Sequence, residues 1–253
     1  TVRYSYHLEP PMNELRALKE RGELGEIVHV DTVYGYNLEG AFGKALLADP
    51  RHWVHGLPGK LLHNTIDHAL AKLVDFLPDE RPEISCFGSV RRATRYGDAR
   101  DDLVDELRVI VRGERTTAHV LFSAHARPVG HSCRVYGTRN TAHADFNNRT
   151  VALERYPTLP SAAGRLFPAF EQAAAYARAG ASNLARFGRS RFHFFAGLGE
   201  LIDRFYAHAE RGAPLPISMR DMRRVAWMMD TIFEQLDQHG LRRGEAGAEG
   251  VRA

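Results

Sequence analysis

Five side chains able to carry or hold a proton fall close together: Lys60, His63, Asn64, Asp67 and His68. They stand on a run in which Leu61, Leu62, Ile66, Leu70, Leu73, Val74 and Leu77 recur at helical spacing. Residues 60–77 are therefore predicted to form one amphipathic helix, opened by Pro58-Gly59 and stopped by Pro78. Asn64 and His68 are an i,i+4 pair on one face, and His63 and Asp67 share the adjacent face. Acid/base chemistry at neutral pH needs a group whose pKa lies near 7, and imidazole is the side chain nearest to that. Near a helix N-terminus the dipole disfavours the imidazolium and keeps the ring a neutral acceptor. Lys60, in the preceding turn, could lower that pKa further or polarise a carbonyl. The plainer reading of the same pattern is a packed helix with a solvated polar side.

The loop Asp49-Pro50-Arg51-His52-Trp53-Val54-His55 feeds this helix. Arg51 and Trp53 on it could line the mouth of a pocket, although Trp is more often core. Tyr34 and Tyr36 alternate on one predicted strand and read as sheet packing or subunit contact. His193, ahead of a Phe-rich helix, could reach the pocket. His119, His125 and His143 fall on predicted strands without metal-ligand spacing, so no metal site is expected. Cys86 and Cys133 lack CxxC spacing and read as small buried hydrophobes of a reducing compartment.

These residues need a scaffold, and 253 residues can bury a sizeable core. The apolar fraction of 44% and charged fraction of 26% fit a soluble globular chain. A net charge of +3, with Lys and Arg spread along the chain, leaves no electrostatic footprint for nucleic acid or a membrane surface. No apolar run has the length of a membrane span and no signal peptide leads the chain, so a cytoplasmic location is expected. Residues 2–8 read as a short strand and 12–21 as a helix ended by Gly22. A strand is expected over 27–36 and a short helix over 41–48. Strands follow over 84–94, 106–112, 117–126, 132–137, 142–146 and 151–155, joined by short turns that imply a mostly antiparallel sheet. Helices are predicted over 170–185, 192–211 and from Ser218 to Leu236, with a disordered tail over 241–253. The fold class is thus α+β: a large, mostly antiparallel sheet with helices on one face. The other face is expected to be a subunit interface, giving a dimer or tetramer. No strand runs into a GxGxxG turn, and the chain opens at Thr1 without methionine. Any phosphate-cradling piece is expected outside these residues.

Several stretches together resemble the C-terminal substrate domain of the glucose–fructose oxidoreductase / inositol dehydrogenase (Gfo/Idh/MocA) family. Tyr4-Ser5-Tyr6-His7-Leu8-Glu9-Pro10 is similar to its Y-x-x-R-F-x-P segment, with His7 for Arg. Gly22-Glu23-Leu24-Gly25-Glu26-Ile27 resembles its G-x-L-G-x-I join. Arg51-His52-Trp53 with Pro58-Gly59 resembles its W…GG loop, and Gly137-Thr138-Arg139-Asn140 its G-T-x-G hairpin. Phe205-Tyr206-Ala207-His208-Ala209-Glu210-Arg211-Gly212, with Pro214, Pro216 and Ser218, is similar to its F-x-x-A-I-x-x-G-x-x-P-x-x-S segment. The family's D-x-x-x-H signature maps onto Asn64-Thr65-Ile66-Asp67-His68, with Asn64 for Asp.

The resemblance implies that residues 1–240 are the substrate domain of a two-domain NAD- or NADP-dependent oxidoreductase whose Rossmann domain lies outside this chain. It would act on a sugar, cyclitol or polyol by hydride transfer, with His68 exchanging the hydroxyl proton and Asn64 orienting. Lys60, His63, Asp67, Arg51 and Trp53 would bind substrate. Asn64 can orient a hydroxyl or a ring but cannot take a proton or neutralise an imidazolium, so Asp67 and His63 are the candidates for that charge. Two alternatives stay open: a ligand-binding or dimerisation module without the chemistry, and a metal-independent lyase or isomerase using His63, Asp67 and His68.

Overall fold

The computed structural model describes residues 4–91, 103–157, 161–190, 192 and 196–238. The expected tail over 241–253, the end of the strand predicted to reach residue 94, and His193 lie outside the described residues.

Alternation of branched and aromatic residues with polar ones builds seven strands: β1 (Ile27–Gly35), β2 (Glu83–Ser89), β3 (Glu106–Arg112), β4 (Thr117–Ser123), β5 (His131–Gly137), β6 (Asn140–Asp145) and β7 (Thr150–Arg155). They join in one sheet in the order β2-β3-β4-β1-β5-β6-β7. Neighbouring strands run antiparallel, except that β1 lies parallel to β4, with Tyr34 opposite Phe122. The chain leaves β1 and returns only after helices and two further strands, a connection long enough for a parallel pairing.

The sheet's two faces differ. Val30, Thr32 and Tyr34 of β1, Leu107, Val109 and Val111 of β3, Val120 and Phe122 of β4, and Cys133 and Val135 of β5 are buried. Helices cover that side: α1 (Pro10–Glu20) lies over β6 and β7, α4 (Asp67–Leu70) over β1 and β4, and α7 (Met219–Gln238) along β2. The alternate residues face outward, and Phe87 and Ile110 remain 70% and 61% exposed there. The α+β class with helices on one face is what the strand and helix patterns called for. Cys86 and Cys133 are both free and buried.

The remaining helices are α2 (Ala41–Ala48), α3 (Lys60–His63), α5 (Ser161–Gly188), which runs beside β7, and α6 (Ala196–Arg211). Their ends follow local chemistry. Gly22, at φ 70, closes the turn after α1 in the left-handed region. Ser218 Oγ accepts from the Asp221 N–H at 3.0 Å and donates to the Asp221 carboxylate at 2.6 Å, starting α7 with a cap.

Two predicted elements differ. The strand expected over 2–8 is a 3-10 turn, Ser5–Leu8, which delivers the chain directly into the Pro10-Pro11 start of α1. His7 secures this turn: its Nδ1 donates to the Ala71 carbonyl at 3.1 Å, while its own carbonyl accepts from Arg16. The single helix expected over 60–77 is instead α3, a break at 64–66, α4, and a series of turns. Asn64 sits near φ −93, ψ −1, and the Asn64 and Thr65 N–H groups reach back only three residues, to Leu61 and Leu62. The Thr65 hydroxyl donates to the Leu61 carbonyl at 2.8 Å, the back-bonding geometry that bends and interrupts helices.

Candidate functional site

The broken run places its polar residues in different directions. His68, 6% exposed, faces a cleft of about 400 Å³ shared with Tyr6, Glu9, Tyr34, Phe42 and His131. Each wall comes from a different element: Tyr6 from the 3-10 turn, Tyr34 from the end of β1, Phe42 from α2, and His131 from the start of β5. The cleft thus lies at the end of the central strands, where helical turns and loops converge over the sheet.

Rings hold the His68 imidazole. The Tyr6 ring meets it edge-on at 5.2 Å between centroids, and Tyr34 lies at 5.4 Å and a 35° tilt. His131 packs on the same two phenols, at 5.3 Å from Tyr6 and 4.5 Å from Tyr34. Its neighbour supplies a carboxylate: Asp67 Oδ2 lies 3.9 Å from His68 Nδ1.

The cleft perturbs its titratable groups. Burial, then the Glu9 carboxylate, pushes the Tyr6 phenol up to about 12, against a hydrogen bond with Tyr34 that lowers it. Burial, then Lys72, pushes His131 down to about 4, while Asp145 opposes. Burial raises Glu9, and the Gly197 N–H, donating to it at 3.0 Å, pulls the other way. That bond ties the start of α6 to the 3-10 turn: a Cβ on Gly197 would lie 2.1 Å from the Ser5 carbonyl, so only glycine fits.

The other candidates are distributed around this centre. Asn64 is half-buried at the break and is not among the residues lining the cleft. His63 faces away, stacked at 5.5 Å on Phe233 of α7. Lys60 opens α3 with φ 47, a left-handed conformation costly for a side-chain-bearing residue. The Arg51 side chain is 94% exposed, 3.6 Å from Asp49. Trp53 is 57% exposed; it packs at 5.7 Å on His52 and edge-on at 6.4 Å to Phe42, itself part of the cleft wall. The dipole expected to hold His68 neutral has little to act through, because α4 is four residues long.

Tyr6, Glu9, Phe42 and His131 were not anticipated at the site, and Tyr34 was read as packing. Alternating aromatics on a strand carry no mark of what stands at the strand's end. Among the described residues, no group of three or more His, Cys, Asp or Glu could hold a metal ion, and no helix is long and apolar enough to cross a membrane.

No family model and no curated protein sequence matches the chain. Solved structures do. An inositol dehydrogenase homologue from Azotobacter vinelandii, complexed with NADH and myo-inositol, is similar over 94% of this chain and 62% of its own, at 19% identity and a TM-score of 0.55. UDP-N-acetylglucosamine 3-dehydrogenase GnnA from Acidithiobacillus ferrooxidans is similar over 92% of this chain and 59% of its own, at 13% identity and a TM-score of 0.58. An oxidoreductase from Agrobacterium radiobacter, in complex with NAD+, L-tartaric acid and magnesium, is similar over 94% and 63%, at 12% identity and a TM-score of 0.62. The chain spans about three-fifths of the length of these proteins.

Proposed function

We propose, from the fold the chain shares with these oxidoreductases, that it is the substrate domain of an NAD- or NADP-dependent oxidoreductase acting on a sugar, cyclitol or related polyol. Residues 1–240 would form that domain, and a dinucleotide-binding domain outside these residues would complete the enzyme. The observation that carries this reading is His68, nearly buried at the wall of a cleft large enough for one sugar ring.

When bound, the nicotinamide would accept a hydride from a carbon bearing a hydroxyl, leaving a carbonyl, or donate one to that carbonyl in the reverse direction. The cleft fits that need: aromatic faces exclude water, and His68 offers an imidazole to the substrate. His68 takes the hydroxyl proton as the alcohol is oxidised and returns it in the reverse direction. Asp67, at 3.9 Å, supports the resulting imidazolium, in place of the carboxylate absent at Asn64. Tyr6 holds its phenolic proton more firmly than usual and can donate to a substrate hydroxyl, while the Glu9 carboxyl beside it can accept from one.

The outward sheet face, with Phe87 and Ile110 exposed, is proposed as the contact between copies in a dimer or tetramer. The alternative, a module that binds ligand without chemistry, is favoured by one feature: Asn64 stands outside the cleft and cannot share a proton with His68. Full-length protein incubated with NAD+ or NADP+ and a panel of cyclitols, aldoses and alditols separates the two. Reduced nicotinamide formed with at least one of them is expected. Binding of a polyol without reduction of either cofactor would instead select the non-catalytic module.

A further inference from the structure

Lys72, four residues after His68 in the turns that follow α4, is fully buried. It stands among Leu70, Leu73 and Val74, all buried, at a place where an apolar side chain would be expected. Among the described residues its Nζ has no hydrogen-bond partner. Three rings enclose it: Phe146 at 4.3 Å, Tyr6 at 5.1 Å and Tyr34 at 5.8 Å from Nζ to the ring centroid. Two of those rings, Tyr6 and Tyr34, also carry His68 and His131. The ammonium and the two imidazoles therefore share one wall.

A buried cation without a carboxylate is costly, and the faces of aromatic rings offset part of that cost. Burial lowers the Lys72 pKa to about 8, which still leaves it a cation at neutral pH. The groups around it are few. Cys133, on β5, faces it with a thiol pushed up to about 12, chiefly by burial, and so neutral. Tyr6 and Tyr34 face it from the 3-10 turn and β1, and its charge reaches His131 on β5. His68 packs on the same two phenols, with Asp67 at 3.9 Å, and Glu9 acts on Tyr6. Asp145, at the end of β6, acts on His131, and Asp75 and Asp31 act on Cys133. None of these acids forms an ion pair with Lys72 among the described residues.

We propose that Lys72 is a positioning residue of the cleft: a cation locked behind the Tyr6–Tyr34 wall whose charge opposes protonation of His131 and His68, against the pull of Asp67 on His68. It supplies what a helix dipole cannot in a helix of four residues. Its consequence for turnover rests on the reading of His68 as the proton carrier; its electrostatic effect does not.

The test is an NMR titration of the histidine Cε1–H signals in this chain, for wild type and Lys72→Met. Methionine is unbranched and apolar and keeps the ring cage filled. In the variant, the His131 and His68 midpoints are expected to rise by about half a unit or more, as loss of a like charge requires. His29 and His119, on the outward sheet face, keep theirs. Unchanged His131 and His68 midpoints in a folded variant overturn the proposal. Should the variant not fold, the wild-type Lys72 side chain is titrated through its 13Cε signal. A midpoint near 8 supports the proposal, and a Lys72 already neutral at pH 7 overturns it. In the full-length enzyme, the acid limb of the kcat profile moves upward with the histidines. Shifted midpoints without turnover in wild type would sink the dehydrogenase reading and leave the electrostatic one standing.

Discussion

His131 gives the cleft an acid-sensitive wall. Its folded pKa of about 4 lies below the free imidazole value of 6.5, so between those values the unfolded chain binds more protons than the folded one. Stability is therefore expected to fall as pH drops from 6.5 to 4. Urea unfolding across that range reads it, and His131→Phe should flatten the slope. The phenols act in the opposite sense. Tyr4 and Tyr6, raised from 10 to about 12, keep their protons in the fold while the unfolded chain loses them. Stability should therefore decline as pH rises from 10 towards 12, and less so in Tyr4→Phe. At this scale the sequence was only partly legible. His68 stood out because proton-handling residues crowd around it, but crowding along a chain is not crowding in space: His63 turns to Phe233, and Arg51 to solvent. Lys72 went unnoticed because one lysine beside a run of leucines looks like a helix edge, and only the fold shows that it is enclosed.

Elements explain which residues meet. The predicted helix over 60–77 placed Asn64 and His68 on one face. The observed break at 64–66 changes that geometry, leaving His68 in the cleft and Asn64 outside its lining. Apolar spacing cannot reveal such a break, because i→i+3 and i→i+4 bonding bury nearly the same residues; the Thr65 back-bond is a local competition. Thr65→Val should lengthen the helical run and lower kcat by misplacing His68, a change checked by circular dichroism beside turnover. Strands were more legible, since a period of two is distinctive: 106–112 was read as observed, and 27–36, 117–126, 132–137, 142–146 and 151–155 lie within about three residues of the strands formed. In contrast, the strand expected over 2–8 is a 3-10 turn, and the one predicted from 84 stops at Ser89. The approach of α6 to the 3-10 turn depends on Gly197. Gly197→Ala is expected to cost about 1–3 kcal/mol, because the new methyl meets backbone that cannot yield. Chemical denaturation measures it, with Gly199→Ala as the control, since no atom lies within 4 Å of a Cβ there.

At the scale of the whole molecule, the two faces of one sheet differ. Its covered face ends at the cleft, and its outward face leaves Phe87 and Ile110 in the open. If copies meet through that face, Ile110→Arg should shift the oligomer towards monomer in sedimentation velocity while His68 and its cleft stay intact. The chain spans about three-fifths of the length of its structural neighbours. Under the proposed function, proton handling would fall to this chain and hydride handling to a nicotinamide held chiefly elsewhere. That division makes His68 the most exposed point of the account. The measurement is kcat for full-length wild type and His68→Ala, with one polyol and saturating nicotinamide cofactor. A fall of about 10²–10⁴-fold, with cofactor affinity unchanged, is the result expected of a lost acid/base. Undiminished kcat in the variant would contradict it.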